Sequence, residues 1–173
     1  AGLGGGQYER DSLGPDAPPA DLVVRAAGGL AAAMPALIAG PPGSTRILEL
    51  ATSATFAFTA TGPTIVLPGD RTLVIRAADR ERPVVQLGDD LLLERPAAVD
   101  TGRDVELHID GLVLTGGGLG LGAHAGVRRL VLEHCTLVAG VARDAAGGPT
   151  SPGRPSLVVH APDVEVVLRD CVT

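Results

Sequence analysis

An all-β chain wound as a parallel solenoid of about five coils, behind a short N-terminal helical cap, is the fold class that three features of the sequence predict. The first is a change of period. Apolar residues recur with helical spacing as far as Ile38, and from Ile47 onward they alternate. The second is a loose internal repeat of short alternating segments. The third is punctuation: 24 Gly and 14 Pro in 173 residues leave little room for further helix.

Residues 1–20 (AGLGGGQYERDSLGPDAPPA) are rich in Gly, Pro and Asp without apolar periodicity, and read as a flexible arm or linker. Residues 21–45 read as the cap. Leu22-Val23-Val24 suits a short strand, and Leu30, Met34, Leu37 and Ile38 fall on one helical face. Pro35 lies inside that pattern, so the helix either starts near Met34 or bends there, and Gly40-Pro41-Pro42-Gly43 stops it.

Residues 46–173 read as the solenoid. Leu48-x-Leu50 is set under Leu73-x-Ile75, Leu107-x-Ile109, Leu130-x-Leu132 and Val166-x-Leu168, with anchors 25, 34, 23 and 36 residues apart. Between them lie Thr64–Leu67, Pro83–Leu87, Leu91–Leu93 and Ser156–Val159, so each unit holds three short strands. A coil of that size cannot bury its inner face alone, but stacked coils share a core. The charges agree with the register. Glu106, Arg129 and Glu165 form one outward column of alternating sign, and Arg76, Asp110, Glu133 and Arg169 form another. The longer gaps imply loops at Arg95–Gly102 and Val141–Arg154. The chain opens at Ala1 and stops at Cys171-Val172-Thr173 in the pattern of a strand, which reads as part of a longer protein.

The stretches VELHIDGLVLTGG, VRRLVLEHCTLVAG and VEVVLRDCVT, with GPPGSTRILEL after the helix, resemble the right-handed parallel β-helix family of pectin-lyase-like fold over about residues 22–173. The Arg- and Leu-rich coils also faintly resemble β-helix proteins of phage-tail-like particles. The resemblance implies a fold; the same fold carries lyases, hydrolases, adhesins and tailspikes.

A net charge of −6, from 14 basic and 20 acidic groups, gives no broad footprint for nucleic acid, and three aromatics cannot make a base-stacking platform. No apolar run is long enough for a membrane-spanning helix. There is no Lys, which excludes a Schiff-base or P-loop lysine, and no Asn, which excludes N-glycosylation.

The candidate chemistry is thin. Asp89-Asp90 is the sole Asp pair and suits a turn after Gly88 better than a catalytic carboxylate pair across a groove. His108, His124, His134 and His160 are too scattered for a metal motif. His134 precedes Cys135 and aligns with Asp170, so a Cys–His nucleophile is weighed against a hydrogen-bonded surface pair. Cys135 and Cys171 fall in one inward column with Leu112, where parallel Cβ vectors favour two reduced thiols over a disulfide. Gly116-Gly117-Gly118-Leu119-Gly120 lacks the strand-to-helix setting of a dinucleotide loop and reads as a corner.

No catalytic, cofactor-binding or metal residue is therefore assigned. The expected function is a non-enzymatic structural or interaction module, within a bacterial cytoplasmic assembly or a secreted one. Its expected partners are a protein assembly or a polysaccharide, with self-association through an open C-terminal coil. The rival expectation is a polysaccharide lyase or glycoside hydrolase.

Overall fold

The computed structural model describes residues 13, 16–58, 64–67, 69–95, 104–140, 146, 151 and 153–172. In chain order the elements are β1 (Leu22–Val24), α1 (Gly29–Ile38), β2 (Ser44–Leu50), β3 (Thr55–Phe58), β4 (Thr64–Ile65), β5 (Arg71–Ala77), β6 (Val84–Leu87) and β7 (Leu91–Leu93). There follow β8 (Val105–Asp110), β9 (Val113–Gly116), β10 (Leu119–Leu121), β11 (Val127–Glu133), β12 (Thr136–Ala139), β13 (Leu157–Val159) and β14 (Glu165–Arg169).

Among the described residues the fold is all-β apart from α1, and the strands pair in parallel within three sheets. The first sheet runs β1-β2-β5-β8-β11-β14, the second β3-β6-β9-β12 and the third β4-β7-β10-β13. From β2 onward the chain visits the three sheets in rotation, so neighbours within a sheet are one circuit apart in sequence. Alternation produces the core. In β8, Val105, Leu107 and Ile109 are buried while Glu106, His108 and Asp110 are half-exposed. Leu73, Leu107 and Leu130 of the first sheet, Phe56 and Leu114 of the second, and Leu93 and Leu121 of the third share one apolar cluster. Burying each such side chain is worth about 1.5–3 kcal/mol, before the entropy of ordering it.

Corners are built from left-handed residues. Gly43, Asp70, Gly126 and Asp163 lead into strands of the first sheet, while Gly111, His134 and Asp170 lead out, all with φ between 50° and 76°. Gly reaches that region without steric penalty, and Asp and His tolerate it better than most residues. Three Gly and three Asp residues of the punctuation thus mark corners of the first sheet.

The register agrees with the expected alignment over its last three steps. Leu73, Leu107, Leu130 and Val166 stand in line, as do Ile75, Ile109, Leu132 and Leu168. The first step differs by two residues: Leu48 pairs with Ile75, and Leu73 with Arg46. A slip of two keeps every side chain on its face, so alternation cannot detect it. The glycine stretch also differs in part, because Leu119–Leu121 is a strand and only Gly117 and Gly118 make the corner.

Helix α1 begins at Gly29, with Pro35 inside it on the exposed side, and buries Leu30 and Leu37 against the end of the core. Beneath it lies an apolar cavity of about 60 Å³ bordered by Met34, Phe58 and Ile109. No basic residue stands in its last turn. Arg71, 8% exposed, supplies the cap from β5. Its Nη1 donates to the carbonyls of Ile38 and Gly40, the latter at 2.7 Å, and its Nε donates to Gly69.

Of the expected arm, residues 1–12, 14 and 15 lie outside the described residues. The Leu13 N–H donates to Asp79, and the Pro18 carbonyl accepts from Arg76. Of the two expected loops, residues 96–102 and residues 141–145, 147–150 and 152 also lie outside. Among the described residues, no helix is long and apolar enough to cross a membrane.

Candidate functional site

The third sheet carries a surface groove of about 370 Å³. Its floor follows from register. Leu91, Leu119 and Leu157 point inward in one row, so Leu92, Gly120 and Val158 of the next row point outward. Gly120 carries no side chain there, and Leu92 leans over the gap, its Cδ1 3.1 Å from where a Cβ would lie. Asp90 stands at one end of this lining and His160 at the other.

The Asp90 carboxylate is already committed. Its Oδ1 accepts from Arg154 Nε at 2.9 Å and from the Gly118 N–H at 2.6 Å. The bond from Arg154 is the main reason its pKa lies below the ordinary carboxylate value, against a smaller opposing effect of burial. Asp90 is thus an ionised hydrogen-bond acceptor at the groove's rim, poorly suited to act as a general acid. Asp89 does not join it as a catalytic pair: Asp89 is exposed, and its backbone carbonyl packs over Gly117.

The corner after β11 gathers the other titratable groups. His134 Nδ1 lies 3.0 Å from Asp110, and Nε2 lies 3.8 Å from Asp170. The alignment with Asp170 was legible in the spacing. The nearer carboxylate, Asp110, was legible only as the outward residue opposite Glu133. His134 is thus engaged with carboxylates, and the neighbouring Cys135 turns elsewhere. Its thiol donates to the carbonyls of Ile109 and Glu133, at 3.4 and 3.2 Å. Burial pushes that thiol up to about 12, which removes it as a nucleophile at neutral pH.

Cys135 and Cys171 are both free, and Cys171 donates to the carbonyls of Leu132 and Arg169. Thiol titration after denaturation without reductant should count both cysteines, whereas a count of zero would contradict the structure. The raised Cys135 pKa also fixes a sign. Its contribution to stability is fully present below the unfolded value of 9.0 and is lost as pH rises toward about 12, so chemical denaturation midpoints should fall across that window.

Among the described residues, His108, His124 and His160 join no group of three or more ligating side chains that could hold a metal ion. Sequence spacing missed the groove, whose signal was a Gly at an outward position inside the apolar segment Leu119-Gly120-Leu121. No protein-family model, curated protein or solved structure matches this chain.

Proposed function

We propose that the three sheets form one right-handed parallel β-helix of about five coils, and that it serves as a structural or interaction module. Rotation of the chain through three parallel sheets supports the coil, and the strong right-handed preference of parallel crossovers supports its hand. One observation carries the functional reading: the outward charges of the first sheet tie adjacent strands to one another. Arg76 pairs with Glu49 at 3.0 Å, Arg128 with Glu106 at 2.8 Å and Arg129 with Glu165 at 3.3 Å. Arg169 pairs with Glu133 across β14 and β11. These side chains clamp the register of a scaffold, whose third-sheet groove offers an extended ligand an apolar floor and the Asp90 acceptor.

The faint resemblance to phage-tail-like proteins supports a role within a larger assembly, with a protein or glycan as the proposed partner. The Asp90–Arg154 pair and His160 along the groove favour a second reading, a lyase or hydrolase of acidic polysaccharide. Incubation with polyuronates and calcium separates the two. Absorbance of unsaturated product and reducing ends should stay at the blank. A rise abolished by Asp90→Asn would replace the scaffold reading with the enzymatic one.

A further inference from the structure

We infer that Cys135 and Cys171 form a two-thiolate site for a soft divalent cation that takes its two ligands in line, an ion of the mercuric type. The corners that carry them are copies one circuit apart. His134 and Asp170, the residues immediately before the cysteines, share the left-handed backbone, with φ of 52° and 50°. Each thiol then makes the same two hydrogen bonds. Cys135 Sγ donates to Glu133, two residues back, at 3.2 Å and to Ile109, on the preceding circuit, at 3.4 Å. Cys171 Sγ donates to Arg169, two residues back, and to Leu132, on the preceding circuit, both at 3.3 Å. Ile109 and Leu132 are register partners, as are Glu133 and Arg169. The residues that follow, Thr136 and Val172, bridge in parallel.

Matching surroundings one circuit apart set the two sulfurs one strand spacing from each other, about 4.8 Å. That span is too long for a disulfide, whose sulfurs lie about 2.05 Å apart. Two metal–thiolate bonds of about 2.3 Å, placed in line, fill it.

Charge selects the ion. Burial is the largest cause that raises the Cys135 thiol, and the neighbouring Cys171 and Asp110 raise it further. Carbonyl oxygens also face both sulfurs, so a pair of bare thiolates is disfavoured here. A divalent cation replaces the two thiol protons charge for charge. Each S–H bond breaks, its electron pair forms a sulfur–metal bond, and two protons leave to water. A monovalent ion would leave a buried negative charge without a partner. Zinc carries the right charge but takes four ligands in closed sites. No group of three or more His, Cys, Asp and Glu side chains that could hold a metal ion forms among the described residues. A soft ion content with two sulfur ligands meets both conditions.

Mercuric chloride added to the reduced 173-residue chain at neutral pH should bind one ion per chain, release two protons and remove both thiols from reaction. X-ray absorption of the wild-type complex should find two sulfurs at about 2.3 Å and no third ligand at bonding distance. The melting temperature should rise, because the ion joins neighbouring circuits of the folded chain. Cys135→Ala and Cys171→Ala should each hold the ion at least about 100-fold more weakly against a monothiol competitor, since the second ligand must then come from solution. The absorption measurement uses no variant, so it decides the coordination even if a substituted chain fails to fold. Zinc chloride at the same concentration should change none of these readings. Two ions per chain, a third ligand, a fall in melting temperature, or folded single variants that compete as well as the wild type would each overturn the site.

Discussion

A Gly116→Val chain should lose about 3 kcal/mol or more and accumulate largely as unfolded, insoluble protein. Gly116 closes β9 with φ +88, in the left-handed half of the backbone map. Holding a β-branched residue there costs about 1–3 kcal/mol. A Cβ at this site would also lie 2.2 Å from the Leu87 carbonyl oxygen at the end of β6. That obstacle is backbone, so it yields only if two stacked strands move apart, at a further cost of about 1–3 kcal/mol. Against a total stability of about 5–15 kcal/mol, such a loss is severe. Gly153→Ala is the matched control, because a Cβ there meets nothing within 4 Å. It should melt within about 0.5 kcal/mol of wild type. Soluble yield and far-ultraviolet circular dichroism on heating measure both, and a Gly116→Val chain that melts with its control would refute the close stacking of β6 and β9.

Stacking at this corner explains what the sequence could convey. Leu107, Leu130 and Val166 announce their alignment because each begins an apolar-x-apolar pair beside an outward charge of the right sign. The step from Leu48 carries no such mark. Arg76 looks toward Asp110 in the expected column, and the two do oppose each other, yet its ion pair is made with Glu49 on the other side. That choice follows from Leu48 pairing with Ile75, which sets Glu49 beside Arg76. Strand parity is a local property of the chain and is written in the alternation. Register between distant strands depends on the length and course of the intervening loops, which local pattern does not encode.

The candidate groove was hidden for a related reason. A run of Gly, Leu and Gly reads as a corner because Gly favours corners. Here Gly117 and Gly118 serve the corner, whereas Gly120 sits in β10 at an outward position and leaves a gap between Leu92 and Val158. The Asp90–Arg154 pair that borders it joins residues 64 apart in sequence. Such a pair becomes visible only once β7, β10 and β13 lie side by side. The two cysteines were easier, because their column repeats at the spacing of the well-aligned units.

The buried Arg71 carries the second large effect, and its consequence should be local before it is global. Helix α1 ends without a basic residue in its last turn, so the Arg71 guanidinium reaching from β5 satisfies the carbonyls of Ile38 and Gly40. Arg71→Met keeps much of the side-chain volume and removes the donors. Leaving such acceptors unmet in a partly buried place costs about 1–3 kcal/mol each, so a loss of about 3 kcal/mol and a drop of about 6–12 °C in melting temperature are expected. Met retains the packing of the Arg stem, which separates lost hydrogen bonds from lost contacts. Because α1 lies over the end of the core through Leu30 and Leu37, its loosening should expose apolar surface while the sheets persist. Binding of a hydrophobic dye should therefore rise, and protease should cut near Gly40 well below the main thermal transition. Arg25→Ala, at an exposed position, should do neither. If Arg71→Met instead melts in one step with no early dye binding, α1 is an integral part of a single cooperative unit, and the cap is as firmly held as the strands it covers.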